Sequence, residues 1–262
     1  MKTIKTALVT GGASGLGYEF AILLAKNSFQ LILIDIDSDQ LEIVKNELEQ
    51  NFQIKVHTIT KDLSLQNSAA ELFEELRETP IDVLINNAGF GLFGPFYNTN
   101  WDRELSMLNL HVVTTTQLTK LLLEGMIKRG RGKILNISSL AAFQPGPLMA
   151  IYYASKAYIL SFSEAISNEL KGTGVTVTVL CPGQTKTSFQ EVVSEGNKTN
   201  KISFNIATAN KVAEYGYKAM MRGKPLAIPG IFNKILSFLP RILPRKIATA
   251  IVRKIQEKNR EL

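Results

Sequence analysis

The stretch TALVTGGASGLG, residues 6–17, places a short apolar run directly before a glycine-rich turn. Thr10, Gly11, Gly15 and Gly17 form a T-G-x-x-x-G-x-G pattern, and a helical period begins inside it. Glycines at such a strand–turn–helix junction permit a tight turn and let the backbone approach an anion, which binds free N–H groups at the helix N-terminus. The stretch therefore predicts an α/β fold that holds a dinucleotide pyrophosphate at this turn.

The rest of the chain alternates short apolar runs with longer segments of helical period. The runs are residues 6–10, 31–35, 55–59, 82–86, 133–138, 175–180 and a weaker 225–228, and the helical segments lie near 15–27, 38–50, 65–77, 100–128, 152–171 and 208–222. Continuous apolar strands that alternate with helices are typical of a parallel sheet covered on both faces. The pattern predicts seven parallel strands with crossover helices.

Composition fits one compact domain. The 262 residues are 45% hydrophobic and 20% charged, which suffices for a single core. A lone cysteine, Cys181, excludes an internal disulfide and fits a reducing compartment. The start, MKTIKTALVTGG, has too few apolar residues for a signal peptide, and no run reaches the length of a membrane span. We expect a cytoplasmic protein, with membrane association through the C-terminal segment as the alternative.

The net charge of +7 is concentrated at the C-terminus. Residues 230–262 carry eight cations against Glu257 and Glu261, so this segment is +6 and the rest of the chain is +1. Cations confined to one apolar tail argue against nucleic acid as a partner. Ile247, Ile251 and Ile255 form a stripe that either lies on an anionic membrane or, the favoured alternative, docks on the domain itself. We therefore divide the chain into a domain at 1–229 and a basic amphipathic extension at 230–262.

Asp35 ends the second predicted strand, 20 residues after Gly15. An acidic side chain there can accept hydrogen bonds from the adenosine ribose hydroxyls and would repel a 2′-phosphate. The next residue, Ile36, offers no cation for that phosphate. The prediction is NAD(H), with NADP(H) kept as an alternative. Asp35 can also be read as one of several acids that precede a helix.

Further motifs follow the glycine turn in order: NNAG at 86–89, Ser139, Tyr152, Lys156, and PGQTKT at 182–187. With these the chain resembles the short-chain dehydrogenase/reductase family from about residue 4 to residue 228. The resemblance implies a single Rossmann-like, doubly wound domain with a seven-stranded parallel sheet. It also implies a bound nicotinamide dinucleotide, hydride exchange between an alcohol and a carbonyl compound, and a homodimer or homotetramer built through the 100–128 and 152–171 helices.

The family's functional residues are carried over by position. The resemblance makes Tyr152 the acid/base, Lys156 its electrostatic partner, Ser139 the holder of the substrate oxygen and Asn109 a link in the proton path. The implied cofactor contacts are Gly11, Ser14, Gly15, Leu16, Gly17, Asp35, Asp62, Leu63, Asn87, Ala88, Gly89, Tyr152, Lys156, Pro182, Thr185 and Thr187. No metal site is expected, because neither His57 nor His111 has a second ligand at suitable spacing.

Elementary chemistry agrees with this assignment. Lys156 follows Tyr152 by four residues, about 6 Å along a helix and on nearly the same face. A nearby ammonium, together with the cationic nicotinamide, is expected to lower the pKa of the phenol from about 10 toward neutrality. Tyr153 is also a helical neighbour of Lys156, and only the family's serine–tyrosine interval favours Tyr152 over it. Ser138 competes with Ser139, and Tyr158 is expected to be a packing residue.

The substrate is expected to contact residues 90–97, 140–149 and the 184–206 substrate loop. The first two segments, FGLFGPFY and LAAFQPGPLM, are strongly apolar. They predict a pocket for a lipid-like, steroid-like or aromatic alcohol or carbonyl compound. The rival hypothesis is a non-catalytic dinucleotide-binding sensor or scaffold, which the fold alone does not exclude.

Overall fold

A computed structural model describes residues 5–186 and 206–260 and contains a seven-stranded, all-parallel sheet. The strands in chain order are β1 (Thr6–Thr10), β2 (Gln30–Asp35), β3 (Val56–Thr60), β4 (Val83–Asn86), β5 (Gly132–Ile137), β6 (Val175–Leu180), β7 (Thr185–Lys186), β8 (Ala207–Thr208) and β9 (Leu226–Ala227). The large sheet has the order β3-β2-β1-β4-β5-β6-β9, and β7 pairs with β8 in a separate small sheet. The predicted seven-stranded parallel sheet is confirmed.

Helices cover both faces of the sheet. They are α1 (Gly15–Lys26), α2 (Ser38–Asn51), α3 (Ser68–Glu75), α4 (Trp101–Leu108), α5 (Thr115–Lys128), α6 (Ala150–Glu169), α7 (Ala209–Met221), α8 (Ile231–Phe238) and α9 (Arg245–Arg260). A π-helical turn, Asn109–Thr114, joins α4 to α5. The predicted helix at 65–77 is shorter in the structure, because Asn67 before α3 has a left-handed φ of 65° that a continuous helix does not allow.

Strand side chains alternate between two cores. Ala7 and Val9 of β1 pack with α1, α2 and α7 residues such as Phe20 and Leu41, whereas Leu8 packs on the opposite face with Leu118 of α5. Since both faces are buried, each strand reads as a continuous apolar run. The chain builds outward from β1 through β2 to β3 and then returns to β4, so the crevice between β1 and β4 lies at the point where the strand order reverses. Ligands of open α/β sheets bind at that point.

The C-terminal extension forms helices that contact the domain. Helix α8 packs near the 3-10 turn Leu140–Phe143, Ala248 of α9 is buried, and Gln256 Nε2 donates a hydrogen bond of 2.8 Å to the Tyr153 hydroxyl. The favoured alternative from the sequence, docking on the domain, matches these contacts. Among the described residues no helix is long and apolar enough to cross a membrane. Thr187 and most of the predicted 184–206 substrate loop lie outside the described residues.

Candidate active site

The glycine turn packs closely against the loop after β4. Gly11 has a φ of +65°, and a Cβ there would stand 2.9 Å from Ala88 Cα. A Cβ on Gly17 would stand 2.7 Å from Asn87 Nδ2 and would also strike the Gly11 carbonyl. Both positions therefore require glycine. Ser14, at the N-cap of α1, makes no side-chain cap hydrogen bond, and the first turn of α1 has no acidic residue. The backbone N–H groups of that first turn are therefore positioned to bind an anion.

Thr10 and Asn87 brace this turn. The backbone N–H groups of Asn87 and Ala88 each donate to Thr10 Oγ1 at 3.0 Å, and Asn87 Nδ2 donates to the carbonyls of Thr10 and Gly11, also at 3.0 Å. The side chain of Asn87 thus holds two loops together. Its direct role is structural, and its backbone faces the cavity described next.

A cavity of about 680 Å³ extends from the glycine turn to Tyr152 and onward to α9. Of the predicted cofactor contacts, it is lined by Gly11, Ser14, Gly15, Leu16, Asp35, Asp62, Leu63, Asn87, Ala88, Gly89, Tyr152, Lys156, Pro182 and Thr185. Gly17 does not line it and instead packs beneath Gly11. The structure thus brings the predicted positions into one space, apart from Gly17, Asn109 and the undescribed Thr187.

Asp35 is fixed at the end of this cavity beside the glycine turn. Its Oδ2 accepts a hydrogen bond of 3.0 Å from the Ala13 N–H, and its Oδ1 accepts one of 2.8 Å from the Ile36 N–H. The helix cap that the sequence offered as an alternative is made by Asp37, whose carboxylate accepts from the Gln40 N–H at 3.0 Å. Asp35 is therefore left to face the cavity.

The two neighbouring serines after β5 have different environments. Ser138 is buried, and its hydroxyl donates to the Lys156 carbonyl at 2.8 Å. Ser139 faces the cavity, accepts from the Ala141 N–H at 3.1 Å, and hydrogen-bonds the Tyr152 side chain. Ser138 thus positions the α6 backbone, while Ser139 can reach a ligand oxygen.

Tyr152 and Lys156 lie together on α6. The Lys156 Nζ donates to the Ile137 carbonyl at 3.0 Å and lies 5.7 Å from the Tyr152 ring centroid. Burial raises the pKa of Tyr152 to about 12, although the hydrogen bond from Ser139 acts in the opposite direction. Burial also lowers the pKa of Lys156 to about 8. The lowered phenol pKa expected from spacing is therefore not a property of the chain by itself, because burial outweighs the hydrogen bond from Ser139.

The other two tyrosines of α6 have different partners, although Tyr153 also lines the cavity. Tyr153 accepts the hydrogen bond from Gln256 and covers Gly146, where its ring leaves no room for a Cβ. Tyr158 is 39% exposed, stacks on Phe162, and its hydroxyl lies 3.0 Å from Thr116 Oγ1. Tyr158 is thus a surface packing residue and not a core residue, and Tyr152 is the tyrosine beside Ser139.

His111 is linked to the Tyr152 backbone through Ser155. It is buried in the π-helical turn that Asn109 begins, and its Nε2 accepts from the Phe90 N–H at 3.2 Å. That bond places the proton on Nδ1, which lies 2.9 Å from Ser155 Oγ, and Ser155 donates to the Tyr152 carbonyl at 2.8 Å. Burial, with a smaller contribution from the Lys156 charge, holds the pKa of His111 well below 6.5. π-Helical turns often mark functional sites.

The far end of the cavity is largely apolar. Its wall contains Phe90, Leu110, Leu140, Met149 and Ile255, and a single guanidinium, Arg103, which lies 4.8 Å above the Phe90 ring. Phe90 belongs to segment 90–97, and Leu140 and Met149 belong to segment 140–149. The sequence predicts that both segments contact the substrate. The sequence did not indicate that Arg103 lines the cavity. For the extension it predicted docking on the domain, and the structure shows in addition that Ile255 and Gln256 complete the cavity wall.

These features fit a nicotinamide dinucleotide. The glycine turn offers helix-terminal amides for a pyrophosphate, Asp35 offers acceptors for ribose hydroxyls, and the cavity continues to Ser139 and Tyr152 without interruption. No group of three His, Cys, Asp or Glu side chains suited to a metal occurs within the described ranges.

Comparison with known proteins agrees with the geometry. The family model for short chain dehydrogenases matches residues 5–198. Very-long-chain 3-oxoacyl-CoA reductase of Mus musculus is 31% identical over 92% of this chain and 77% of its own length, and hydroxysteroid dehydrogenase-like protein 1 of Gallus gallus is 30% identical over 88% and 70%. The crystal structure of a bulky-bulky ketone specific alcohol dehydrogenase from Comamonas testosteroni superimposes with a TM-score of 0.78 at 26% identity, covering 93% of this chain and 96% of that one. The chain belongs to the short-chain dehydrogenase/reductase family and is an NAD(P)-dependent oxidoreductase of CH–OH and C=O groups.

Proposed function

We propose that this enzyme exchanges hydride between NAD(H) and a hydrophobic, lipid-like alcohol or ketone. The observation that carries the proposal is the single cavity in which a glycine turn, the Ser139–Tyr152–Lys156 group and an apolar wall meet. The cofactor, when bound, supplies or accepts the hydride. Every proton transfer at the substrate oxygen then falls to side chains of this chain.

Tyr152 is the proton donor in the reductive direction. A phenol with a pKa near 12 carries its proton at neutral pH, which is the form needed to protonate an alkoxide as it develops. The Ser139 hydroxyl, already bonded to Tyr152, can bond the same oxygen. Lys156, with a pKa near 8, is mostly cationic at pH 7 and stabilises the tyrosinate that remains after transfer.

Asn109, which the family resemblance places in the proton path, does not itself line the cavity. Asn109 begins the π-helical turn, one residue before the cavity-lining Leu110.

Alcohol oxidation requires Tyr152 in its tyrosinate form at the outset, so the rate of oxidation should rise with pH.

Replacement of Tyr152 by phenylalanine tests the mechanism. We expect Tyr152→Phe to abolish turnover while NADH still binds, as measured by quenching of the fluorescence of Trp101 or by NADH emission. Tyr153→Phe is the matched control, because the Tyr153 hydroxyl accepts a hydrogen bond from Gln256 whereas the Tyr152 hydroxyl bonds Ser139, and it should keep turnover. Equal activity of both variants would refute the assignment. A wild type that binds NADH but turns over no alcohol or ketone would favour the sensor hypothesis.

The preference for NAD(H) rests on Asp35. Its carboxylate faces the cavity, held by the Ala13 and Ile36 amides, and the neighbouring side chain of Ile36 is apolar. A 2′-phosphate at this end would meet a carboxylate and no guanidinium on the residue that follows. Initial rates with NADH and NADPH at equal concentrations measure the preference directly.

The apolar wall favours long-chain or polycyclic substrates. Among the relatives one is named for 3-oxoacyl-CoA and another for hydroxysteroids, and both substrates carry a carbonyl or hydroxyl on a large apolar body. Arg103 favours the first class, because a guanidinium on the wall can pair with an anionic carrier group. Much higher kcat/KM for small polar alcohols than for long-chain or polycyclic ones would contradict the proposal.

The proposed assembly is a homo-oligomer through α5 and α6. Exposed apolar side chains such as Val113 and Tyr158 lie on these helices or on the π-helical turn before α5. Sedimentation velocity of wild type and Val113→Glu measures it: the variant should shift toward monomer.

A further inference from the structure

The C-terminal extension carries a concentrated apolar surface. Of the 22 large hydrophobic side chains that are exposed among the described residues, ten lie within residues 231–255. We call them the C-terminal apolar face; they include Ile231, Ile235, Phe238 and Ile242 around α8 and Ile247 and Ile251 on α9. Ile231 is 78% exposed. A patch of this density, rimmed by polar residues, marks an interaction site in a water-soluble fold.

The spacing places these side chains in stripes. Ile231, Ile235, Phe238 and Ile242 follow one another at intervals of four, three and four residues, and Ile247, Ile251 and Ile255 at intervals of four. Such intervals align side chains on one face of a helix. Within α8 this aligns Ile231, Ile235 and Phe238, and within α9 it aligns Ile247, Ile251 and Ile255, whereas Ile242 follows α8 after the 3-10 turn Leu239–Arg241.

Cations are concentrated in the same segment. Between residues 230 and 258 there are seven lysines and arginines and one acid, Glu257, which pairs with Arg253 at 2.7 Å. Lys254 and Lys258 fall on the same side of α9 as Ile247 and Ile251 by helical spacing. If the apolar stripe enters hydrocarbon, the long cationic side chains beside it can reach anionic head groups at the boundary.

The face continues to the substrate cavity. Ile255 is 51% exposed and also lines the cavity, so it lies at the rim. On the other side, the loop that contributes Phe90 to the wall extends to Tyr97, which is exposed and lies within electrostatic range of Arg253. The rim of the cavity is thus bordered by apolar and cationic groups together.

We propose that the C-terminal apolar face docks on an anionic lipid bilayer, with α8 and α9 lying in the head-group layer, so that a lipophilic substrate passes from the bilayer to the cavity. A second copy of the chain is a poorer occupant, because two such faces would bring their cations together. The docking stands on the exposed face and its charge. The passage of substrate rests also on the proposed function.

Vesicle co-sedimentation tests the docking. The full chain should pellet with vesicles of phosphatidylcholine mixed with phosphatidylserine, much less with phosphatidylcholine alone, and less again at high salt. The double variant Ile235→Ser with Ile242→Ser should lower partitioning at least tenfold. Ile43→Ser is the matched control, since Ile43 on α2 is 58% exposed, as Ile235 is, and it should bind like wild type.

Charge is tested separately. Lys254→Gln with Lys258→Gln should lower partitioning about 25-fold, at about fivefold per cation, whereas the remote exposed Lys171→Gln should have no effect. Absence of wild-type binding to anionic vesicles, or equal binding by face variants and controls, would overturn the docking. A wild-type dimer that Ile235→Ser with Ile242→Ser dissociates, without vesicle binding, would assign the face to a second copy instead.

Activity then tests the passage of substrate. The double isoleucine variant should lose kcat/KM at least tenfold for a long-chain ketone dissolved in anionic vesicles and keep wild-type kcat/KM for a short, water-soluble ketone. Loss with both would show a distorted cavity and overturn the passage. Vesicle binding without any turnover would refute the proposed function and leave the docking intact.

Discussion

The buried His111 predicts a specific pH dependence of stability. Its ring accepts from the Phe90 N–H and bonds Ser155, and its pKa lies well below the ordinary value of 6.5. In the unfolded chain the ring takes up a proton as the pH falls through 6.5, while the folded protein keeps it neutral. Because the unfolded state then binds more protons, folding stability must fall as the pH falls below 6.5.

The size of the effect follows from linkage. Relative to a variant without the ring, wild type should lose at most about 1.4 kcal/mol of unfolding free energy at pH 5.5 and at most about 2 kcal/mol at pH 5.0. Above about pH 7.5 the difference between the two proteins should be constant. That constant part reports lost packing and hydrogen bonds, which the pH-dependent part does not include.

Urea unfolding at several pH values measures both parts. The comparison is wild type against His111→Gln, followed by Trp101 fluorescence and by circular dichroism. His57→Gln is the control, because His57 is the other histidine and lies exposed on β3. A difference that stays flat down to pH 5.0 would mean that His111 is protonated in the folded state, and the donor assignment at Phe90 would then be wrong.

Three further substitutions test the site. Gly17→Ala should raise the NADH Kd about 5- to 150-fold, since the new methyl group would overlap the Gly11 turn at a cost of about 1–3 kcal/mol; an unchanged Kd in isothermal titration would contradict the packing. Ser138→Ala should lower the unfolding free energy by about 1 kcal/mol and reduce kcat more than it alters KM, because the Lys156 carbonyl loses the hydrogen bond that positions it. Ser161→Ala on the exposed side of α6 should change neither the stability nor kcat. Asp35→Ser should raise the ratio of kcat/KM for NADPH over NADH, and an unchanged ratio would remove Asp35 from cofactor selection.

The sheet could be predicted because its strands are buried on both faces. A run such as LILID at the end of β2 carries its own signature, and each of the seven predicted runs became a strand of the large sheet. Helix ends are harder to predict from sequence, because one left-handed residue such as Asn67 shortens a helix without any change in the apolar period of its sequence.

The site was predicted only as far as spacing along the chain allows. Tyr152 and Lys156 are four residues apart, so their proximity needs no tertiary information. Which of Ser138 and Ser139 can reach a ligand depends on which hydroxyl donates to the Lys156 carbonyl, and that contact joins residues 18 positions apart in the chain. Arg103 and Gln256 reach the cavity through packing between distant elements, and a burial effect such as the raised pKa of Tyr152 depends on the whole surrounding core.

Ile255 and Gln256, which complete the cavity wall, lie beyond the region matched by the family model, which ends at residue 198. Part of the wall that would contact the substrate is therefore encoded separately from the reacting groups. We expect changes in residues 230–262 to alter substrate range while the sheet, the glycine turn and Tyr152 stay untouched. Exchanging this segment between relatives is accordingly a direct route to enzymes with new specificity.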